Sequence, residues 1–453
     1  MLNCKVRFAP SPTGYMHIGN ARVAIINYLF CKKNNGKFLF RIDDTDSQRS
    51  KKEYEDAILN DIKWLGIEYD ETFRQSARLD RYNEVLEILN KKGLVYKCFE
   101  TEEELEFKRK RALLKGQPPV YDREALTLTQ SQIEDMEISS IPSYWRFKLP
   151  NKVVRWDDIV IGNTSYALSN ISDPVIAKSD GTFLYSFCSV IDDLDSCITH
   201  VLRGQDHVTN TAAQIAMIEA ISGKQCNIKF GHFSLLVNKD GAQFSKRLGS
   251  LNLGNLRDGG LDPMAIWNLL ATLGTSKDIE TFIDLGELAN YFDISSFGTN
   301  SPKFDTDLLF NLNKKIIRCT PYERLKTRLS LKMSEQQHSV IRDNIDNYND
   351  LKKWDEILSP GYIPNIHNLN IGVVKSFKEL LEKERNEFLS RDGATNLLKA
   401  VSEKTEIKGK DLYMPIQNAI LGLENAPRLA DTLTILSKNE ILTRLSANIL
   451  ASA

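Results

Sequence analysis

The feature that most constrains this chain is an interruption. An apolar strand signal over Lys5 to Phe8 stops at Ala9-Pro10-Ser11-Pro12-Thr13-Gly14, and helical periodicity begins only at Ile18 and runs to about Lys33. Gly36 is expected in the left-handed position after that helix. "KFLFRIDDTD" follows, an apolar run bounded by acids, as expected of a strand buried on both faces of a parallel sheet. In "SKKEYEDAILNDIKWLG", Ser50 and Glu53 have capping-box spacing and Gly66 marks a stop. Strand, turn, helix, strand, helix in this order predicts a doubly wound α/β domain.

The turn itself carries chemistry. Pro10 and Pro12 remove backbone donors and stiffen the chain, and Gly14 is expected to allow a tight bend. Free N–H groups at the start of the following helix, helped by its dipole, attract an anion, most simply phosphate. His17 and Asn20, flanking Gly19, fall three apart on one helix face and can both donate to that anion. Taken alone, H-x-G reads more plainly as a capping turn with a surface histidine. Neither G-x-x-x-x-G-K-[ST] nor G-x-G-x-x-G follows the first strand, so any nucleotide is held by another device.

With 453 residues, the chain exceeds one ordinary core and predicts more than one domain. It has no apolar run of membrane-spanning length and no basic-then-apolar leader, so the expected location is cytoplasmic, with no membrane partner. Its formal charge of −1 requires any nucleic-acid contact to come from local basic patches. Seven scattered cysteines without a C-x-x-C pair favour free thiols over a disulfide framework.

Beyond "ARLDRYNEVLEILNKKG" the rhythm changes. Thr101 and Glu104 have capping-box spacing at the head of a helix carrying "KRKRALLK", which "GQPPVYD" breaks. Alternation resumes in "CITHVLRGQDHVTNTAAQIAMIEAISG", a strand and a helix ended by Gly223. Asp240-Gly241 signals a hairpin turn, and Asp262-Pro263 a helix cap followed by proline. From about Asp305 onward helical periodicity dominates.

Just after the expected hairpin, Ser245-Lys246-Arg247 with Gly249 could lay a lysine over polyphosphate, although "SKR" alone reads as a solvated basic loop. Together, "APSPTGYMHIGNAR", "RIDDTD", "HVLRGQDHVTNT" and "FSKR" resemble, in order and spacing, a class I aminoacyl-tRNA synthetase of the bacterial glutamyl type. The first stretch is similar to that class's HIGH motif and the last to its KMSKS motif. The resemblance covers most of residues 1 to 275.

It implies a Rossmann-like catalytic domain split between residues 1–83 and 185–236. An inserted α+β acceptor-binding domain would occupy 84–184, a stem-contact region with the KMSKS-like loop 237–312, and a helical anticodon-binding region 313–453. The implied reaction joins L-glutamate to ATP as an adenylate, releases pyrophosphate and passes the glutamyl group to the 3′ end of a tRNA, with Mg²⁺ as counter-charge. By the same resemblance His17, Asn20 and Lys246 are catalytic. Pro10, Gly14, Gly19, Asp206, Ser245 and Arg247 join them around ATP. Arg7, Ala9, Ser11, Asp43, Tyr185 and Arg203 form the glutamate pocket, with Asp43 receiving the ammonium.

The sequence departs from the family at Asp43, where glutamate is usual, at Gln205, where an acid is usual, and at Gln243, in place of the first lysine of KMSKS. Those changes imply weaker ATP affinity. Some relatives hold zinc in the inserted domain. Here that stretch offers only Cys98, so no zinc is expected.

"NKKIIRCTPYERLKTRLSLK" gives candidate tRNA contacts at Lys314, Lys315, Arg318, Arg324, Lys326 and Arg328. The acceptor stays open among tRNA(Glu), tRNA(Gln) and both, and a monomer is expected. Two other readings compete: an RNA-independent nucleotidyltransferase using a HIGH-type ATP site, and a degenerate synthetase kept as an RNA-binding protein.

Overall fold

The computed structural model describes residues 4–241, 252–366, 370–423 and 426–451. By packing, the chain divides into two compact units: 1–257 with 266–306, and 258–265 with 307–453.

The first unit opens with β1 (Lys5–Phe8), α1 (Ile18–Lys33), β2 (Lys37–Ile42), α2 (Lys52–Leu65) and β3 (Glu71–Arg74). These strands form a parallel sheet in the order β1-β2-β3, with β2 central and buried after its first residue. That burial explains why β2 reads as a continuous apolar run rather than an alternating one. Then come α3 (Leu79–Lys91), β4 (Val95–Cys98), α4 (Glu102–Leu114), α5 (Gln130–Ile138), β5 (Tyr144–Phe147), β6 (Val153–Asp158), β7 (Gly162–Ala167) and β8 (Val175–Ala177). The chain continues through α6 (Tyr185–Asp195), β9 (His200–Gly204), α7 (Val208–Ser222) and β10 (Lys229–Phe233).

Strands β9 and β10 pair in parallel, and Thr199 donates to the Lys5 carbonyl at 3.0 Å, seating β9 beside β1. Between the halves of this α/β layer lie an antiparallel sheet ordered β4-β5-β8 and a hairpin, β6-β7. The hairpin is tied to β10 by the Ile159 N–H on the Phe230 carbonyl at 2.9 Å. The boundary expected at residue 84 falls inside α3, whose Tyr82, Val85 and Leu89 are buried in one core with Phe147, Phe183 and Phe187.

Several local expectations change. Asn35, not Gly36, takes the left-handed conformation after α1, at φ 48°. Gly36 is needed for space, because a Cβ there would meet the Cys4 carbonyl oxygen at 2.5 Å. The capping box at Ser50 and Glu53 does not form. The Lys51 N–H is tied to the Pro12 carbonyl at 3.0 Å, α2 starts one residue later without a side-chain cap, and Glu53 accepts from the Tyr15 hydroxyl. Ser50 is left with its hydroxyl buried and unpartnered.

The box at Thr101 and Glu104 does form, and Asp262 caps the helix after it through the Met264 N–H at 2.7 Å. Gly241 closes the expected turn, at φ 83° with its N–H on the Asn238 carbonyl, while the arm leaving that turn lies outside the described residues. The chain re-enters the described residues at Asn252, leading into α8 (Leu253–Asp258), α9 (Pro263–Thr272) and α10 (Leu285–Tyr291).

The second unit is helical throughout its described residues beyond 306: α11 (Thr306–Cys319), α12 (Tyr322–Leu329), α13 (Glu335–Ile341), α14 (Tyr348–Ile357), α15 (Ile371–Glu382), α16 (Arg391–Thr405), α17 (Lys410–Leu421), α18 (Leu429–Thr432) and α19 (Lys438–Ala451). Leu325, Leu351, Phe377, Val401, Ile416 and Ile441 centre its own core. Among the described residues no helix is long and apolar enough to cross a membrane.

Candidate active site

The proline turn is fixed from outside itself. Asp43 and Lys51 donate backbone N–H groups to the Pro10 and Pro12 carbonyls, each at 3.0 Å, so the turn after β1 is pinned to the end of β2 and the start of α2. Gly14 has no left-handed φ, and a Cβ there would meet no atom within 4 Å, so its expected role in bending is not required by the backbone.

His17 caps α1. Its Nδ1 accepts from the Gly19 N–H at 3.0 Å, and its own N–H donates to Asn20 Oδ1 at 3.2 Å. Gly19 is obligatory for this, since a Cβ there would lie 2.8 Å from the histidine ring. Burial lowers the His17 pKa, favouring neutral imidazole. With Nδ1 accepting, the proton sits on Nε2. The cap therefore leaves two outward donors, His17 Nε2–H and the Asn20 amide, which suit phosphate oxygens and not a cation.

Asn252 forms an antiparallel bridge with His17, and the Leu253 N–H reaches the Met16 carbonyl at 3.0 Å. Gln243, Ser245, Lys246 and Arg247 lie outside the described residues.

Three strand arginines converge on the carboxyl ends of the sheet. Arg7 on β1 donates through Nε to both Asp193 oxygens at 3.3 Å. Arg41 on β2, fully buried, bonds Asp43 through Nε at 2.6 Å and Nη2 at 3.2 Å, Asp193 through Nη1 at 2.9 Å, and Ser189 at 3.1 Å. Asp192 stands 3.7 Å from Arg41 and is also held by Gln75, Arg78 and Tyr82. Both oxygens of Asp43 are thus engaged before any substrate arrives. Burial pushes its pKa up to about 6, against the opposing pull of Arg41.

Arg203 on β9 is buried too, but its partners are all neutral. Nη2 meets Thr211 and Gln214 at 2.6 Å each, Nη1 meets the Tyr185 hydroxyl at 3.2 Å, and Nε meets His232 Nε2 at 3.3 Å. Burial lowers its pKa and the neighbouring charge of Arg7 lowers it further, against the opposing pull of Tyr185 and, more weakly, of Asp193. Other buried arginines also lack a carboxylate, yet they are differently satisfied. Arg22 bonds the Ser234 and Leu273 carbonyls and lies over the rings of Phe233 and Phe297. Arg203 instead shares its surroundings with a second guanidinium, an arrangement that an anion would relieve.

The remaining expected residues are dispersed around this centre. Ala9 is half-buried and Ser11 exposed on the turn, and Asp206 is exposed beside His207. A Cβ on Gly204 would meet Asp206 Oδ1 at 2.5 Å, so a side chain there would displace the Asp206 carboxylate. Sequence reasoning passed over Arg41, Asp192, Asp193, Asp158 and His232. The available signal was a charge or imidazole inside an otherwise apolar run, as in "FLFRI" and "KFGHF", which demands a buried partner.

In the inserted segment Cys98 lies 3.6 Å from the Tyr121 hydroxyl. The acids Glu100, Asp122 and Glu124 gather around the Lys108 ammonium. In the second unit Lys314 and Arg318 pair with Asp346, and Arg328 with Asp262 and Tyr348. Lys326 lies over the Tyr322 ring, and Lys315 and Arg324 are exposed.

Residues 3–310 match the family described as "tRNA synthetases class I (E and Q), catalytic domain", and residues 368–449 match "Anticodon binding domain". The chain belongs to the class I tRNA synthetases of the E and Q family. Among its relatives, a glutamate–tRNA ligase 1 of Maricaulis maris strain MCS10 is 42% identical over 98% of this chain and 99% of the relative. A glutamate–tRNA ligase 2 of Bartonella bacilliformis is 41% identical over the same shares of each chain. The crystal structure of a glutamate tRNA ligase from Elizabethkingia meningosepticum in complex with its amino acid has a TM-score of 0.80 at 24% identity, covering 100% of both chains. This class I synthetase therefore pairs a catalytic region with a helical anticodon-binding region, and ATP is a substrate of its family.

Proposed function

We propose that the protein is a glutamate–tRNA ligase that activates L-glutamate with ATP and passes it to the 3′ end of tRNA(Glu). The observation that carries the substrate assignment is the pair Arg7 and Arg203, two buried guanidiniums within reach of each other's charge, of which Arg203 has no carboxylate among its hydrogen-bond partners. Glutamate's side-chain carboxylate supplies that anion, with the Tyr185 hydroxyl beside it. The ammonium is received at the Asp43 edge of the Arg41 network, and Ala9 and Ser11 contribute from the turn. Pro10 and Gly14 shape the turn's approach to ATP, and Asp206 stands near the nucleotide.

Neither step needs a protein nucleophile, so catalysis rests on positioning and charge stabilisation. His17 and Asn20 donate to the phosphates. Lys246, with Ser245 and Arg247, serves departing pyrophosphate. The bridge between His17 and Asn252 supports that pairing, because Asn252 follows Lys246 by only a few residues, each spanning at most about 3.5 Å. Mg²⁺ supplies counter-charge as a companion of the ATP phosphates. We assign residues 84–184 to the acceptor end, with the edge at 84 moved to follow α3, and the second unit to the rest of the tRNA. Lys315 and Lys326 are the candidate phosphate contacts less committed to ion pairs than Lys314, Arg318 and Arg328, and Arg324 is an exposed candidate beside them. The working form is a cytoplasmic monomer without zinc.

The test is ATP/pyrophosphate exchange with glutamate, run without tRNA and with purified tRNA(Glu) or tRNA(Gln). Glutamate-dependent exchange and charging of tRNA(Glu) are expected. No exchange with any tRNA would sink the enzyme reading, and charging of tRNA(Gln) alone would move the acceptor assignment. Lys246→Ala should lower turnover by about two orders of magnitude or more while leaving tRNA binding nearly intact.

A further inference from the structure

Asp158 ends β6, in the hairpin set between the halves of the catalytic layer, and it is buried. Its Oδ1 accepts from three backbone donors: Val160 and Ile161 at 3.1 Å and His232 at 3.0 Å. Its Oδ2 accepts from Trp156 Nε1 at 3.1 Å and from His232 Nδ1 at 2.5 Å. Three converging backbone N–H groups prevent the carboxylate from turning, so it faces His232 as an acceptor only.

This fixes the imidazole. With Nδ1–H committed to Asp158, Nε2 carries the lone pair, and it faces Arg203 Nε at 3.3 Å and Thr211 Oγ1 at 2.9 Å. The opposite tautomer would set one N–H against another. Burial lowers the His232 pKa, which keeps Nε2 free to accept. Burial alone would raise the Asp158 pKa, but its hydrogen bonds from His232 and the backbone hold it down to about 2. Arg203 is then gripped on two sides, through Nε by His232 and through Nη2 by Thr211 and Gln214, and it presents Nη1 next to Tyr185.

We propose that Asp158 and His232 are positioning residues for glutamate recognition: the hairpin carboxylate fixes the tautomer of His232, and His232 fixes the orientation of Arg203 toward the substrate carboxylate. This rests on the reading of Arg203 as a glutamate ligand. It makes the β6-β7 hairpin part of substrate selection and not only a packing edge on β10.

The experiment is pyrophosphate exchange on the full chain with tRNA(Glu), giving separate KM values for glutamate and ATP, together with the unfolding midpoint of each variant. His232→Leu should raise the glutamate KM about tenfold or more, the loss expected when a buried donor goes unpaired, with the ATP KM within about twofold of wild type. His232→Gln should recover most of that loss, because its carboxamide can donate toward Asp158 and accept from Arg203. Asp158→Asn should act like His232→Leu, by presenting N–H to Nδ1 and reversing the tautomer.

The proposal is overturned if His232→Leu leaves the glutamate KM within about twofold, or if it raises both KM values together. It is equally overturned if Gln behaves no better than Leu. Arg203→Met separates the two claims. If it leaves the glutamate KM unchanged, the pocket reading fails, whereas a large rise there beside unaffected His232 variants condemns the relay alone.

Discussion

Arg41 and Arg203 are both buried arginines near the carboxyl ends of parallel strands, yet their surroundings are opposite. Arg41 sits among Asp43, Asp192 and Asp193, the last two shared with Arg78 and Arg7, so its charge is met by carboxylates. Arg203 sits among hydroxyl, amide and imidazole groups and is discouraged by Arg7. A balanced buried cation is a structural fixture. One satisfied only by neutral acceptors is poised for a carboxylate from outside.

The largest effect that tests this contrast is loss of the Arg41 charge. Arg41→Met should lower folding stability by about 3–5 kcal/mol, because it leaves buried Asp43 without its cation and takes one partner each from Asp192 and Asp193. Chemical denaturation checks it, and a loss under about 1 kcal/mol would mean the network relaxes around the change. The second effect falls on function. Arg203→Met should cut kcat/KM for glutamate by about 30-fold or more, the scale of removing one side of a buried charge pair, while stability changes little.

The third effect depends on pH. Asp43 needs its charge to hold an ammonium, so glutamate use should fall about tenfold per unit as pH drops below about 6. Stability should move the other way. A carboxyl raised from 3.8 to about 6 contributes stability that is fully present below 3.8 and is lost as pH rises through about 6. Comparing wild type with Asp43→Asn isolates both slopes, and slopes of the same sign would contradict the assignment.

The smallest effect lies in the second unit, where the same logic separates paired from unpaired cations. Lys315→Ala should weaken tRNA binding modestly and reduce the salt slope by about one. Asp346→Asn, which frees Lys314 and Arg318, should change stability by no more than about 1 kcal/mol.

This contrast also marks how far the sequence could be read. The strands β1, β2 and β9, the helix from Ile18 to Lys33 and the helical second unit were legible because periodicity and caps act over a few residues. Arg7, Tyr185 and Arg203 were singled out by resemblance to the family. Their partners were not. Asp193 meets Arg7 across 186 positions, and Asp158 meets His232 across 74, distances over which no local pattern survives. Ser50 and Glu53 fail for the same reason. Their spacing is right for a cap, but the proline turn holds Lys51 and Tyr15 holds Glu53.

The most direct test measures Arg203→Met and Arg41→Met side by side for unfolding free energy and for glutamate KM in exchange with tRNA(Glu). A closed and an open cation predict a crossed result: Arg41→Met loses stability by several kcal/mol, and Arg203→Met keeps its stability while its glutamate KM rises about 30-fold or more. Contradiction would be Arg203→Met unfolding as readily as Arg41→Met with its glutamate KM unchanged, which would make Arg203 a fixture of the fold.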